Sequence, residues 1–360
     1  MKNHRSFQFR IPHSTFHIPK RILVVMPNWF GETLFATPFL RALRGGLPQS
    51  FIAALGVPRA QAILAHNPQV DELVLYDEQA AHGTWRGRRA LARLLRAKRF
   101  DTAVILRRSL TRTLLLAWAG IPRRIGFANL KSGWLLTHRV QPPKAPIHKA
   151  HAYLRLLAPL GLREQPGSYA YYPSEEERAQ ARQLLHAKGL LNGNPLVVLH
   201  PGANWAHKRW GVERFIELAN RLIRRHPVSL VLTGGPDDLS LIGPMLPRLM
   251  TRPVVLAGQT TLRQLAAVLE HAGLVVSNDT GVVHVAAALG RPVVALYGPT
   301  SPAITGPLGD ATRTVVIHHP DCCPRIPCLH PDHPKYPGMD AISVEEVYVA
   351  ACQMLESGKT

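Results

Sequence analysis

An α/β fold built as two successive doubly wound parallel sheets is the class this sequence predicts. Three observations lead there. Short apolar strand segments alternate with helical segments of ten or so residues, the pattern of a parallel sheet covered on both faces. The alternation runs through residue 119, breaks, and starts again at residue 196. The length, 360 residues, exceeds what one hydrophobic core usually serves.

The elements follow in order. Residues 1–19 are a basic lead-in without an apolar run. Residues 21–26 (RILVVM) read as a buried strand, and 33–44 follow as a helix with Leu34, Phe35, Phe39, Leu40 and Leu43 on one face. Segments 50–55, 72–75 and 102–106 read as further strands, with helices at 59–66, 85–97 and 109–119 between and after them. The stretch 141–149 (QPPKAPIHK) reads as a surface connection, and a helix over 151–160 is expected to bridge the halves. Ser174 and Glu177 have capping-box spacing ahead of another helix. In the second half, strands are expected at 196–199, 229–232, 254–256, 274–276 and 293–296. Helices are expected at 212–225, 238–250, 262–271 and 282–289. A final helix, 343–356, has room to pack back across the first domain. The expected division is therefore an extension over 1–19, a first domain over 20–165, a second over 166–342, and the C-terminal helix within 343–360.

Composition narrows the function. Apolar residues make up 46% and charged residues 18%, which is globular. The formal charge of +20 implies an anionic partner: nucleic acid, an acidic membrane surface or a phosphorylated ligand. The longest uncharged apolar stretches, 113–121 and 282–290, fall far short of a bilayer span, and the N-terminus lacks the apolar run of a secretory signal. Of the four cysteines, Cys322, Cys323 and Cys328 cluster and Cys352 stands apart, which is no disulfide framework. The cytoplasm is the expected compartment.

The segment Ser277-Asn278-Asp279-Thr280-Gly281 follows a strand and opens a helix, so free backbone N–H groups at the helix start can hold a diphosphate. His284 faces the same mouth one turn on. An ordinary capped helix is the plain alternative. After another strand comes His200-Pro201-Gly202-Ala203-Asn204, followed by Lys208 and Arg209; these two cations either neutralise a phosphate or are a solvated pair. In the first half, the Gly31-Glu32 turn places a carboxylate at a helix start. The dipole alone would favour it there, but it can also serve as a general base. Arg107, Arg108 and Arg112 follow the fourth strand and are the candidates for an acidic acceptor; Arg123-Arg124 and Arg86, Arg88, Arg89 form other basic groups. The cysteine cluster with His330 and His333 has the ligand types of a zinc site but not a standard finger spacing, so neither metal nor cofactor is assigned.

At these segments the sequence resembles the lipopolysaccharide heptosyltransferases, glycosyltransferase family 9. The carriers are ILVVMPNWFGETLFATPFLRALR, AGIPRRIGF, HPGANWAHKRWGVERFIELA and VSNDTGVVHVAAALGRPVVALYGPTSP, in the family's order and spacing, within residues 20–350. Within the family the PNW opening and the Lys208-Arg209-Trp210 triplet stand nearer the heptosyltransferase II branch than the heptosyltransferase I branch. The resemblance implies a GT-B architecture, two Rossmann-like domains facing across a cleft, with the sugar nucleotide on the C-terminal domain and the acceptor on the N-terminal one. It also implies inverting transfer of heptose from ADP-heptose to the lipopolysaccharide inner core. Carried over, Lys208 contacts the donor diphosphate, with Arg209 beside it. Asp279, Thr280, Gly281 and His284 line the donor site, and Glu32 falls at the catalytic-base position. The family has Gly-Asp there; the longer glutamate must retract, or the acceptor must sit further out. The tail also departs, lacking the additional cysteine that relatives often carry.

The mechanism expected on this basis is direct displacement. Glu32 deprotonates the acceptor hydroxyl, while Lys208, Arg209 and the Thr280–Gly281 helix start stabilise the leaving diphosphate without a metal. Peripheral attachment to the anionic inner face of the inner membrane fits the charge. Two rivals differ in class. A basic nucleic-acid-binding protein has charge alone in its favour and no recognised motif, so nucleic acid is not an expected partner. A family relative using another nucleotide sugar or a protein acceptor, such as an autotransporter heptosyltransferase, would be separated by metal content.

Overall fold

Strand runs such as RILVV and LVVLH are apolar on both sides because both sides are covered. β1 (Arg21–Val25) is buried from Ile22 onward and β7 (Leu196–His200) throughout. The computed structural model describes residues 18–322, 326 and 337–357. Within them, β1 is joined by β2 (Phe51–Gly56), β3 (Glu72–Leu75), β4 (Thr102–Ile105), β5 (Arg123–Phe127) and β6 (His138–Val140). The resulting six-stranded parallel sheet has the order β3-β2-β1-β4-β5-β6.

The second half repeats the winding. β7, β8 (Ser229–Leu232), β9 (Val254–Val255), β10 (Ala272–Asn278), β11 (Val293–Tyr297) and β12 (Thr314–His318) form a parallel sheet of order β12-β11-β10-β7-β8-β9. Each sheet grows outward from its first strand in two directions. The chain order therefore reverses between β1 and β4 in one sheet and between β7 and β10 in the other. Ligands bind doubly wound sheets at these reversals, beyond the carboxyl ends of the strands.

Several expectations change in detail. The helix expected over 33–44 is two, Phe30–Phe35 and Thr37–Gly46; Pro38 lies in the first turn of the second, where its missing N–H costs nothing. The helix expected over 238–250 is replaced by 3-10 turns at Pro236–Asp238 and Gly243–Arg248 around a single α turn, Leu239–Ile242, because Pro244 and Pro247 cannot donate. Strands β5, β6 and β12 were not expected. The first two are short and arginine-bearing; β12 is a plain apolar run (TVVIH) that does carry the signal.

Two placements are corrected. The helix expected to bridge the halves runs from Lys149 to Leu154 and continues as a 3-10 turn to Leu160. It stays in the first domain, where Ala150, Tyr153, Leu156 and Leu157 join the core beneath Phe39 and Leu40. The C-terminal helix, Val344–Ser357, does not pack back on the first domain. Val347, Ala351 and Leu355 fill the second domain's core beside Leu218 and Leu222 of the helix Val212–Arg225. Polar contacts hold it there: the buried Trp210 indole donates to Ile342 O (2.9 Å), and Arg221 pairs with Glu345 (2.6 Å).

The crossing between domains falls between Tyr169, packed in the first core, and Tyr171, packed in the second. The domains meet closely. Leu34 and Ile63 of the first domain are buried with Val282 and Val283 of the second, and Arg263 reaches across to donate to Ala62 O (2.8 Å) while pairing with Glu177 (2.5 Å). Tyr169 Oη and His148 both meet Gly306 O, at 2.8 and 3.0 Å.

Candidate active site

Four strand ends converge on the line between the domains. β1 runs into Pro27-Asn28 and the helix carrying Gly31 and Glu32; β4 runs into Arg107 and Arg108. β7 runs into His200-Pro201-Gly202, and β10 into Asp279, Thr280 and the helix Gly281–Ala288. These are both reversal points of the fold.

On the second domain one buried amide joins three motifs. Asn278 Nδ2 donates to Pro201 O (2.8 Å) and Gly202 O (3.2 Å), while its Oδ1 accepts from Trp210 N (3.1 Å). Asn278 lies within the Ser277–Gly281 segment, but its partners are 68 to 77 residues away and no local pattern announces the clamp. Asn278→Ala would strand a buried N–H, which costs about 1–3 kcal/mol. The expected result is a lower denaturation midpoint; an unchanged midpoint would show the clamp to be dispensable.

Lys208, in the 3-10 turn Ala206–Lys208, stands over the Trp205 ring (5.2 Å) with Nζ 2.5 Å from Asp279 Oδ2. Thr300 Oγ1 donates to the same oxygen (2.6 Å). Burial works to raise the Asp279 carboxyl, but Lys208, His284 and the hydrogen bonds from Lys208 and Thr300 outweigh it and hold it below the ordinary carboxylate range. Asp279 is thus a fixed anion that positions Lys208 at the mouth of the helix capped by Thr280, whose hydroxyl accepts from Val282 N (3.3 Å). Arg209 is committed nearby: Nε and Nη2 both donate to Ala203 O (3.1 and 2.9 Å), bracing the His-Pro-Gly loop.

On the first domain, Glu32 sits in the opening turn of its helix, a quarter exposed, with Oε1 2.5 Å from Lys149 Nζ. No motif marks Lys149; it lies 117 residues away at the start of the helix Lys149–Leu154, and only the fold brings it here. Burial, then the Glu32 charge, pushes the Tyr153 phenol far above its usual range. The two lips touch. A side chain at Gly31 would press on the His284 ring, and one at Gly281 would run into Phe30. His284 packs edge-on against Phe35 (4.9 Å) and Tyr169 (5.9 Å), with Nε2 4.0 Å from Asp279 Oδ1.

The arginines divide. Arg107 is partly exposed and Arg108 exposed, its guanidinium 5.8 Å from the Phe127 ring centroid; both stand at the first domain's reversal point. Arg112 corrects the expectation of an acceptor contact. Its side chain is fully buried, donating to Met26 O (2.9 Å) and Asn28 Oδ1, 3.6 Å from Glu78 and stacked on Tyr76. It holds the Pro27-Asn28 turn in place from behind. Among the described residues no three His, Cys, Asp or Glu side chains are grouped to hold a metal ion. Cys322 is a half-buried free thiol, and Cys323, Cys328, His330 and His333 lie outside the described residues.

Burial lowers His148, His200 and His284 from 6.5 to about 4, against the opposing pull of Gly306 O, Asp238 and Asp279 respectively. Between those values the unfolded chain binds protons that the folded chain refuses, so stability is full above pH 6.5 and falls as the pH drops. Each histidine can contribute up to about 3 kcal/mol. The urea midpoint should decline clearly between pH 7 and pH 5; a flat midpoint would mean these imidazoles are accessible to protons in the folded state.

Two doubly wound parallel domains with their reversal points facing each other form the GT-B architecture. Residues 88–330 match glycosyltransferase family 9 (heptosyltransferase). The chain is 31% identical over 307 residues to lipopolysaccharide heptosyltransferase 2 of Escherichia coli K12, covering 82% of this chain and 87% of that one. In solved structures it is similar to a glycosyl transferase family 9 protein from Veillonella parvula (TM-score 0.84, 29% identity, 94% of this chain and 97% of that one). It is also similar to the E. coli ADP-heptose lipopolysaccharide heptosyltransferase II (TM-score 0.76, 29% identity, 94% and 100%). The protein belongs to glycosyltransferase family 9, the heptosyltransferases, and is a glycosyltransferase.

Proposed function

We propose that the enzyme transfers heptose from ADP-heptose to the lipopolysaccharide inner core with inversion at the anomeric carbon. One observation carries this reading: Glu32 and Lys208–Asp279 stand on opposite lips of one interdomain junction, each at the opening of a helix at a fold reversal. An alcohol held on the first domain attacks from the side opposite the diphosphate, and the new bond forms as the sugar–phosphate bond breaks. Glu32 takes the hydroxyl proton. Lys149 engages Oε1, so Oε2 is the oxygen available for it, and the extra methylene relative to aspartate lets the carboxylate fold back toward Lys149.

The leaving diphosphate gains charge as the bond breaks. Lys208 Nζ and the N–H groups at Thr280–Gly281 are held ready for it. Asp279 acts through Lys208, Arg209 through the loop it braces, and neutral His284 packs the junction shut. Arg107 and Arg108 serve an anionic acceptor, with Arg112 positioning the turn that leads to Glu32. The basic surface supports peripheral contact with the anionic inner face of the inner membrane; no described helix is long and apolar enough to cross a membrane.

Purified protein, ADP-heptose and truncated core acceptors, followed by mass spectrometry, test the reading. The expected product is an acceptor heavier by one heptose. ADP-heptose left intact with every core acceptor, or transfer only from another nucleotide sugar, would overturn it.

A further inference from the structure

Resting on the lipid-anchored acceptor of the proposed function, we propose that one face of the first domain docks on an anionic lipid bilayer. That face is the outer side of the layer formed by helices Trp85–Ala97 and Leu110–Trp118, which cover one side of the first sheet through Leu91, Leu95, Leu115 and Leu116.

The outward side is not the polar surface such helices usually present. Leu110, Leu114 and Trp118, spaced four residues apart, form a single exposed stripe, with exposures of 45%, 50% and 38%. The Trp118 ring meets the exposed Trp85 ring at 5.7 Å, and Arg89 lies over Trp85 at 5.3 Å. Trp134, two-thirds exposed, extends the surface from the 3-10 turn Gly133–Leu135, whose flanking Leu136 joins the same core.

Charge selects the occupant. Between Glu78 and Glu164 the sequence has one carboxylate, Asp101, and that one accepts the backbone N–H groups of Lys20 and Arg21. The helix Trp85–Ala97 carries Arg86, Arg89 and Arg93 exposed and no acid. The second domain also exposes Leu239, Leu246 and Met250, but beside Asp237, Asp238 and the Glu213 that pairs with Arg248, and without an indole stripe. Indoles and leucines interleaved with guanidinium groups on the outer face of two helices match a headgroup interface. The rings sit at headgroup depth, the leucines reach the acyl boundary, and arginine pairs with lipid phosphate.

Flotation with vesicles tests this, using phosphatidylcholine alone and phosphatidylcholine with about 30% phosphatidylglycerol. Wild-type protein should float with the anionic vesicles, weakly with the neutral ones, and less as salt rises. The variant Leu110→Gln/Leu114→Gln/Trp118→Gln should partition at least about tenfold less. The control Leu239→Gln/Leu246→Gln/Met250→Gln should behave as wild type, with circular dichroism reporting the fold of both.

Equal flotation of the stripe variant and wild type overturns the proposal, as does wild-type protein that ignores anionic vesicles. If wild type ignores vesicles yet binds polyglutamate through the stripe, an acidic polypeptide replaces the bilayer as partner. Transfer to a soluble, deacylated core acceptor is measured alongside. Its failure in wild-type protein counts against the proposed function alone, and normal transfer by a stripe variant that no longer floats supports the docking face.

Discussion

Glu32→Gln should lower turnover by roughly 10³-fold, within the range spanned by general-base catalysis, while ADP binding and folding stay near wild type. Glutamine keeps the size of the side chain and an acceptor oxygen toward Lys149, but it cannot take a proton. The structural cost is small. Glu32 is a quarter exposed and Lys149 more than a third, so their ion pair contributes at most about 1 kcal/mol. A drop in rate without a drop in melting temperature or ADP affinity therefore isolates the proton transfer. Glu32→Asp distinguishes the two ways the glutamate can work. If the carboxylate folds back toward Lys149, the shorter side chain loses that partner and still serves. If the acceptor sits further out, the aspartate falls short and the rate drops. Near-normal turnover by the glutamine variant would place the base elsewhere.

Much of this was legible because turn chemistry leaves marks in sequence. Gly31, Gly202 and Gly281 follow apolar runs that end abruptly, and such junctions fall at strand ends, where doubly wound sheets bind ligands. The repeated alternation implied two sheets, and both wind identically. What was hidden depends on distance along the chain. Lys149 had no motif, and its partner is 117 residues off. Arg112 reads like Arg107 and Arg108, yet helical geometry from Ser109 turns it inward against Met26 and Asn28, where its charge organises backbone. The last helix could in principle cover either domain. Its destination was decided by the apolar face of Val347, Ala351 and Leu355 meeting Leu218 and Leu222, together with the Trp210 anchor, and none of these is local. Strands β5 and β6 lack the apolar run that marks a central strand: β5 opens on Arg123-Arg124, and the edge strand β6 is His-Arg-Val.

Lys208→Ala is expected to lower turnover about 10²-fold, the scale for removing one preorganised charge stabiliser. The structure adds a complication that can be used. Lys208 is paired with a nearly buried carboxylate, so its removal leaves Asp279 charged with Thr300, the Tyr297 phenol and a neutral His284 beside it. Stranding a buried charge destabilises by several kcal/mol, about 3–5 in comparable cases, so the single variant should also melt at a lower temperature. Rate loss could then come from the missing ammonium or from a distorted Thr280–Gly281 turn. The double variant Lys208→Ala/Asp279→Asn separates these. Asparagine keeps an oxygen for the Thr300 hydroxyl and carries no charge, so melting temperature should recover most of what the single variant lost. If Lys208 stabilises the departing diphosphate, turnover in the double variant stays about 10²-fold down despite the restored stability. Should turnover recover with stability, the task of Lys208 is to neutralise Asp279, and the diphosphate is stabilised by the helix start alone.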